Sequence, residues 1–286
     1  MSMFERRYLL TGQIVLRTAL HIGGGSGTLS VSDSPIVRTP EGRPFIPGSS
    51  FKGAFRSTVE RIAGALPTVR TCALLDEAGC PGVQGESQRE FNRRRRDERW
   101  DEAKLVQELV AALCDTCKLF GSPFAASKLR FSDLYLAAGE DPVTQVRDGV
   151  GIDHDSERAV EHIKFDFEVV EANTAFDLEL NLDDPTATDL GLTCLGLCEY
   201  LAGFGGLGGK RSRGLGGCRL VNLKVYELDL TDEKTRVQRL RDYLLGREGA
   251  GQRLAALTAA DRMTPIDDVD SFLRHHVDHL FEGRSA

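Results

Sequence analysis

The segment Gly205-Gly206-Leu207-Gly208-Gly209-Lys210-Arg211-Ser212-Arg213-Gly214-Leu215-Gly216 restricts what this chain can fold into more than any other stretch. Six glycines surround three cationic side chains, directly after an apolar run with helical spacing and just before one that reads as a strand. Glycine lets the backbone take positive φ and brings N–H groups close to a ligand. Lysine and arginine at the same turn add point and forked charges that suit phosphate. The helix-to-strand order and the glycine-to-lysine spacing are not those of a nucleoside-triphosphate loop, so the pattern favours a polynucleotide. The alternative is a flexible, soluble connection.

Residues 8–18 read as a strand, and 21–27 as a loop. Residues 34–39 read as a short extended piece. A helix capped by Ser49 or Ser50 runs to Ala63, with Phe51, Phe55, Val59 and Ile62 on one face. Strands follow at 129–137, 176–182 and 218–228, a helix at 186–201, and a polar hairpin at 143–170 that turns near 153–158. The order strand, helix, strand, strand, helix, strand predicts an α+β, ferredoxin-like core over residues 1–230, interrupted by an insertion at 67–119. Residues 231–286 read as a helical, peripheral extension. The net charge of −7 counts against nucleic-acid binding by the whole surface but leaves room for a local basic groove. No apolar run is long enough to span a bilayer, and the first residues do not resemble a signal peptide, so a cytoplasmic location is expected.

Cysteines mark the two ends of the insertion. Cys72 and Cys80 are separated by seven residues, and Cys114 and Cys117 by two. Two such pairs can complete a four-thiolate structural zinc site, although the first spacing is loose. Free thiols, a disulfide and a redox pair remain as alternatives. Cys194, Cys198 and Cys218 sit in apolar patterns and read as core. The run Arg93-Arg94-Arg95-Arg96 is interleaved with Glu90, Asp97, Glu98, Asp101 and Glu102, which predicts i,i+4 pairing on a solvated helix.

The glycine loop occurs together with Pro44-Phe45-Ile46-Pro47-Gly48-Ser49-Ser50-Phe51-Lys52-Gly53-Ala54-Phe55-Arg56 and His21-Ile22-Gly23-Gly24-Gly25. Further matching phrases are Leu119-Phe120-Gly121-Ser122, Leu129-Arg130-Phe131-Ser132-Asp133, Gly149-Val150-Gly151-Ile152-Asp153 and Phe165-Asp166-Phe167-Glu168. In that order they resemble the RAMP superfamily, the RNA-binding proteins of CRISPR antiviral defence, and most of all the backbone subunit of type III effector complexes. The resemblance covers residues 8–228. It implies a ferredoxin-like or RRM-type palm whose thumb hairpin, here 143–170, wedges between bases of a CRISPR RNA. It also implies a filament of copies or relatives that meets complementary target RNA and the large and small subunits of the complex.

Carried over by position, the RNA-binding residues are His21, Gly24, Ser49, Ser50, Lys52, Arg56, Gly208, Lys210, Arg211 and Arg213. Lys52 and Arg56 lie one helical turn apart, so both are expected to face the same phosphates. In members that cut target RNA, an aspartate lies between the first glycine turn and the helix, and Asp33 takes that place here. Its carboxylate would hold Mg2+ or another divalent ion, or position the 2′-hydroxyl, making the chain an endoribonuclease that leaves a 2′,3′-cyclic phosphate. Asp-Ser-Pro is also an ordinary turn starter. A non-cleaving guide-RNA scaffold is therefore the alternative, with a CRISPR-transcript processing endonuclease behind it.

Overall fold

The structure, a computed structural model, describes residues 4–24, 32–72, 80, 88–152, 159–247 and 253–282. In chain order the elements are β1 (Arg6–Leu16), α1 (Gly48–Ala63), α2 (Gln88–Asp97), α3 (Glu102–Ala112), α4 (Asp115–Phe120), β2 (Leu129–Phe131), β3 (Thr144–Ile152) and β4 (Ala159–Val170). They continue as β5 (Ala175–Asp183), α5 (Ala187–Leu201), β6 (Cys218–Asp229), α6 (Glu233–Leu245), α7 (Ala259–Arg262), β7 (Thr264–Pro265) and α8 (Val269–Asp278).

Alternation along β1 buries Tyr8, Leu10, Ile14 and Leu16 and leaves Thr11 and Gln13 on the other face. The central strand pairs antiparallel with both β5 and β6, and the sheet order is β2-β5-β1-β6-β7. Without the edge strand β7 and the separate hairpin, this is the expected ferredoxin-like arrangement. α1 and α5 cover one face. Phe55 stacks on Tyr200 with ring centroids 5.6 Å apart, and a side chain at Gly196 would strike the Phe55 ring at 2.3 Å. Burying each such phenylalanine stabilises the fold by about 2–3 kcal/mol.

β3 and β4 pair only with each other, as the hairpin reading expects. Reciprocal bonds between Leu20 and Val170, and one from Glu168 N to Ser34 O, fix the base of this hairpin to the chain that leaves β1. Its turn at 153–158, and residues 25–27 of the first glycine turn, lie outside the described residues.

Two expectations are corrected. The strand at 129–137 is a three-residue strand continued by single bridges at Leu134 and Leu136. Asp133 leaves the ladder there to accept a hydrogen bond from Gly48 N at 2.7 Å, capping α1 from a distant segment. The insertion carries three helices: α2 holds the arginine run, and α3 and α4 follow it. The C-terminal extension is helical but not peripheral: Leu273 and Leu280 belong to the main core. A side chain at Gly191 of α5 would meet His276 O at 2.7 Å, so α8 lies directly on α5.

Candidate nucleic-acid interface and metal site

Three segments far apart in sequence meet at one end of the sheet. The loop after α5 folds back on the chain that leaves β1, with Gly209 N donating to His21 O at 3.0 Å and Gly216 N to Ala19 O at 2.8 Å. Glycine is obligatory at two positions. Gly208 has φ +68° and Gly216 φ +78°, and a Cβ would lie 2.2 Å from His21 O and 1.9 Å from Leu207 O respectively. Lys210 itself is left-handed and leads into one 3-10 turn, Arg211–Arg213. Its ammonium lies 4.5 Å from the Phe167 ring centroid and 5.5 Å from that of Phe165, so the loop and the hairpin base are joined by a cation–π contact. The Arg211 guanidinium lies against the backbone of Gly206. Arg213 is exposed and has no ion pair among the described residues.

Alternation along β4 sends Phe165 and Phe167 toward the loop, and Asp166 and Glu168 toward residues 32–38. Asp33 N donates to Asp166 Oδ1 at 2.5 Å, and Asp166 N donates to Asp33 Oδ2 at 3.1 Å. This reciprocal pair leaves one oxygen of each carboxylate without a partner among the described residues. Asp33 is exposed. Asp166 was absent from the sequence-based site, although its alternation with Phe165 and Phe167 carried the signal. Glu168 accepts from Ile36 N and pairs with Arg38. Gly24 is exposed and donates to Pro35 O at 2.9 Å.

Burial withdraws two of the expected RNA-binding side chains from the surface. His21 is 6% exposed, and both ring nitrogens are engaged. Nδ1 lies 2.6 Å from Glu168 O, a carbonyl that can only accept, so this nitrogen carries the proton. Nε2 then accepts from the Ser34 hydroxyl at 3.3 Å. Arg56 is 9% exposed and directed inward, donating to Glu60 Oε1 at 2.7 Å, Gly121 O at 2.9 Å and Cys117 Sγ at 3.4 Å.

Ser49, Ser50 and Lys52 stand on the first turn of α1, which has no side-chain cap of its own. Tyr200 ties that turn to the loop: its ring centroid lies 5.3 Å from that of Phe51, and a side chain at Gly205 would strike it at 2.4 Å. Burial, and then the charge of Arg56, pull the Lys52 ammonium below its ordinary pKa.

The four cysteines of the insertion come together, with all their sulfurs within 4.8 Å of one another. Cys72 and Cys117 are 3.5 Å apart, and Cys114 and Cys72 are 3.6 Å apart. Sulfurs bound tetrahedrally at ~2.3 Å from one ion would be about 3.8 Å apart, so the cluster could hold a metal ion. The helix start explains the short spacing: Cys114 caps α4 and its sulfur accepts from Cys117 N. Reciprocal bonds between Arg70 and Asp115 bring the chain at Cys72 alongside. Cys117, and then Cys80, hold the Cys114 thiol far below its usual pKa. The Cys114 contact in turn pushes Cys117 well up, and Cys80 up to about 12.

On the face of the sheet away from the helices lies an open concavity of about 860 Å³ that presents Asp133, Asp177 and Glu179. Its charge has the wrong sign for phosphate. Among the described residues no helix is long and apolar enough to cross a membrane.

A profile of the RAMP superfamily matches residues 13–219. A protein described as CRISPR system Cms endoribonuclease Csm3 from Methanothermobacter thermautotrophicus is 48% identical over 60 residues, 20% of this chain and 24% of its own. A protein of the same description from Enterococcus italicus is 48% identical over 61 residues, covering 20% of this chain and 28% of its own. A third, from Methanocaldococcus jannaschii, is 45% identical over 60 residues, with coverage of 20% and 24%. The chain therefore spans about a quarter of the length of these curated relatives.

Proposed function

The chain belongs to the RAMP superfamily, and from that premise we propose that it is a guide-RNA-binding backbone subunit of a type III CRISPR effector complex that also cuts complementary target RNA. The observation that carries this reading is the meeting of the glycine loop, the hairpin base and the Asp33 segment at one end of the palm. The loop offers backbone N–H groups and the cations Lys210, Arg211 and Arg213, and the start of α1 adds Lys52, Ser49 and Ser50. Gly24 and Gly208 are exposed on this face, each needed where the chain packs on its neighbour, and the hairpin at 143–170 is the thumb that interrupts base stacking. His21 and Arg56 support this face from below and do not touch RNA.

Cleavage is assigned to Asp33. The O2′–P bond forms as the P–O5′ bond breaks, the 2′ proton leaves to a base, and the 5′ oxygen takes up a proton. Asp33 and Asp166 each keep a carboxylate oxygen for a divalent cation such as Mg2+, whose remaining ligands would be water and phosphate. Such an ion would neutralise charge developing on the phosphate. The cysteine cluster would hold structural Zn2+: four thiolates close the coordination sphere and leave no position for substrate. Copies of this chain or its relatives, target RNA and the large and small subunits are the partners of this reading. The engaged Asp33 backbone also suits a scaffold without cleavage, which is the second reading.

The double variant Lys210→Ala/Arg213→Ala tests the binding face. Its affinity for labelled single-stranded RNA should fall, with the slope of log affinity against log salt reduced by about 1.4, two charges at ~0.7 each. An unchanged affinity and slope would move the RNA away from this loop.

A further inference from the structure

The arginine run in the insertion does not form the paired face that its sequence predicts. Arg94 alone turns inward, donating to Glu108 at 3.2 Å and lying 4.7 Å from the Trp100 ring centroid, where it ties α2 to α3. Arg93, Arg95, Arg96 and Arg99 are all exposed, and their side chains make no hydrogen bond or ion pair among the described residues. Two of the five acids expected to neutralise them are engaged elsewhere, while Glu90 and Asp97 line a neighbouring concavity with Arg93. Glu98 accepts from Trp100 Nε1 at 2.7 Å and pairs with Lys104 at 2.9 Å, and Asp101 caps α3. Asn92, Arg95, Arg96 and Arg99 line one concavity of about 490 Å³. Arg99 takes φ +50° at the end of α2, a position where glycine is the usual residue.

We propose that this arginine concavity is a second RNA site, one that grips the phosphate backbone of a single strand independently of the glycine loop. Three observations favour RNA over an acidic protein. Guanidinium groups match phosphate oxygens as bidentate forks and need no backbone N–H groups. The charge is concentrated on a chain whose net charge is −7, so it is not a general property of the surface. No exposed large apolar side chain lies on α2 among the described residues, whereas a protein interface is built around a buried apolar centre. The helix dipole explains one cation in the last turn but not an unpaired set of four. The site does not depend on the family reading; only the identity of the strand, guide or target, rests on it.

The experiment uses the full chain and the quadruple variant Arg93→Ala/Arg95→Ala/Arg96→Ala/Arg99→Ala, with circular dichroism and metal content as checks on its fold. Labelled single-stranded RNA and a polyglutamate peptide of similar charge are titrated at several salt concentrations. The inference predicts at least a tenfold loss of RNA affinity at low salt, a slope lower by up to about 3, and no difference in peptide binding. The quadruple Arg→Lys variant should recover the slope but not the full affinity, because lysine lacks the fork. Unchanged RNA affinity and slope in the alanine variant would overturn the inference, and so would a loss confined to the peptide. Failure of the Lys210→Ala/Arg213→Ala variant to weaken RNA would count against the proposed function and leave this site standing. In the assembled complex, protection of the arginines from an arginine-modifying reagent by guide alone, or only after target is added, identifies the strand.

Discussion

Arg56 shows how one side chain can serve a site that it does not touch. It follows Phe55 on α1 and passes beneath the helix to Cys117, so the cysteine cluster and α1 share one buried cation. Burial alone would lower its pKa, but Glu60 and Cys117 together outweigh that and hold it above the ordinary value. Arg56→Ala leaves Glu60 without its cation and Cys117 Sγ without its donor, and should cost about 3 kcal/mol of stability. It should also weaken zinc retention in competition with a chromophoric chelator. Full stability and unchanged retention would show the contact to be incidental. The sequence placed Lys52 and Arg56 together because they are one turn apart, but their neighbours differ: position 52 opens the helix, whereas 56 faces α4. Non-local packing of that kind leaves no mark on a local pattern. The Asp33–Asp166 pair was half legible for the same reason, since only Asp33 lies in the segment that the resemblance marks.

At the scale of elements, periodicity gave β1, α1, β5, α5 and β6 to within two or three residues, because each buries one regular face in a single core. It failed where an element answers to a distant partner. β2 stops when Asp133 turns to cap α1, and α8 reads as peripheral until α5 is seen beneath it. The insertion depends most on something other than its own apolar pattern. Its cysteines form a small cluster with Leu113, Val69 and Leu119 at its two ends join the main core, and polar and aromatic ties join α2 to α3. Metal removal should therefore act here first. The protein is expected to carry about one equivalent of zinc, and a chelator at neutral pH should lower its melting temperature and its helical signal. The sign with pH follows from the thiols: Cys80 and Cys117 are pushed up and must lose their protons to bind, so metal affinity falls as pH falls. Zinc-free protein with an unshifted melt in chelator would contradict the assignment.

Taken whole, the molecule gathers cations in two places, the glycine loop and α2, while Asp133, Asp177 and Glu179 stand on the open face of the sheet. A net charge of −7 is therefore compatible with a strand of RNA held along one edge. The most direct measurement is made on the complex purified with its guide RNA and partner subunits, comparing wild type with Asp33→Ala on labelled complementary RNA in magnesium. Regularly spaced cuts ending in cyclic phosphate are expected for the wild type. In the variant those cuts should be lost, while guide and target binding are unchanged. Undiminished cutting by the assembled Asp33→Ala complex would contradict it.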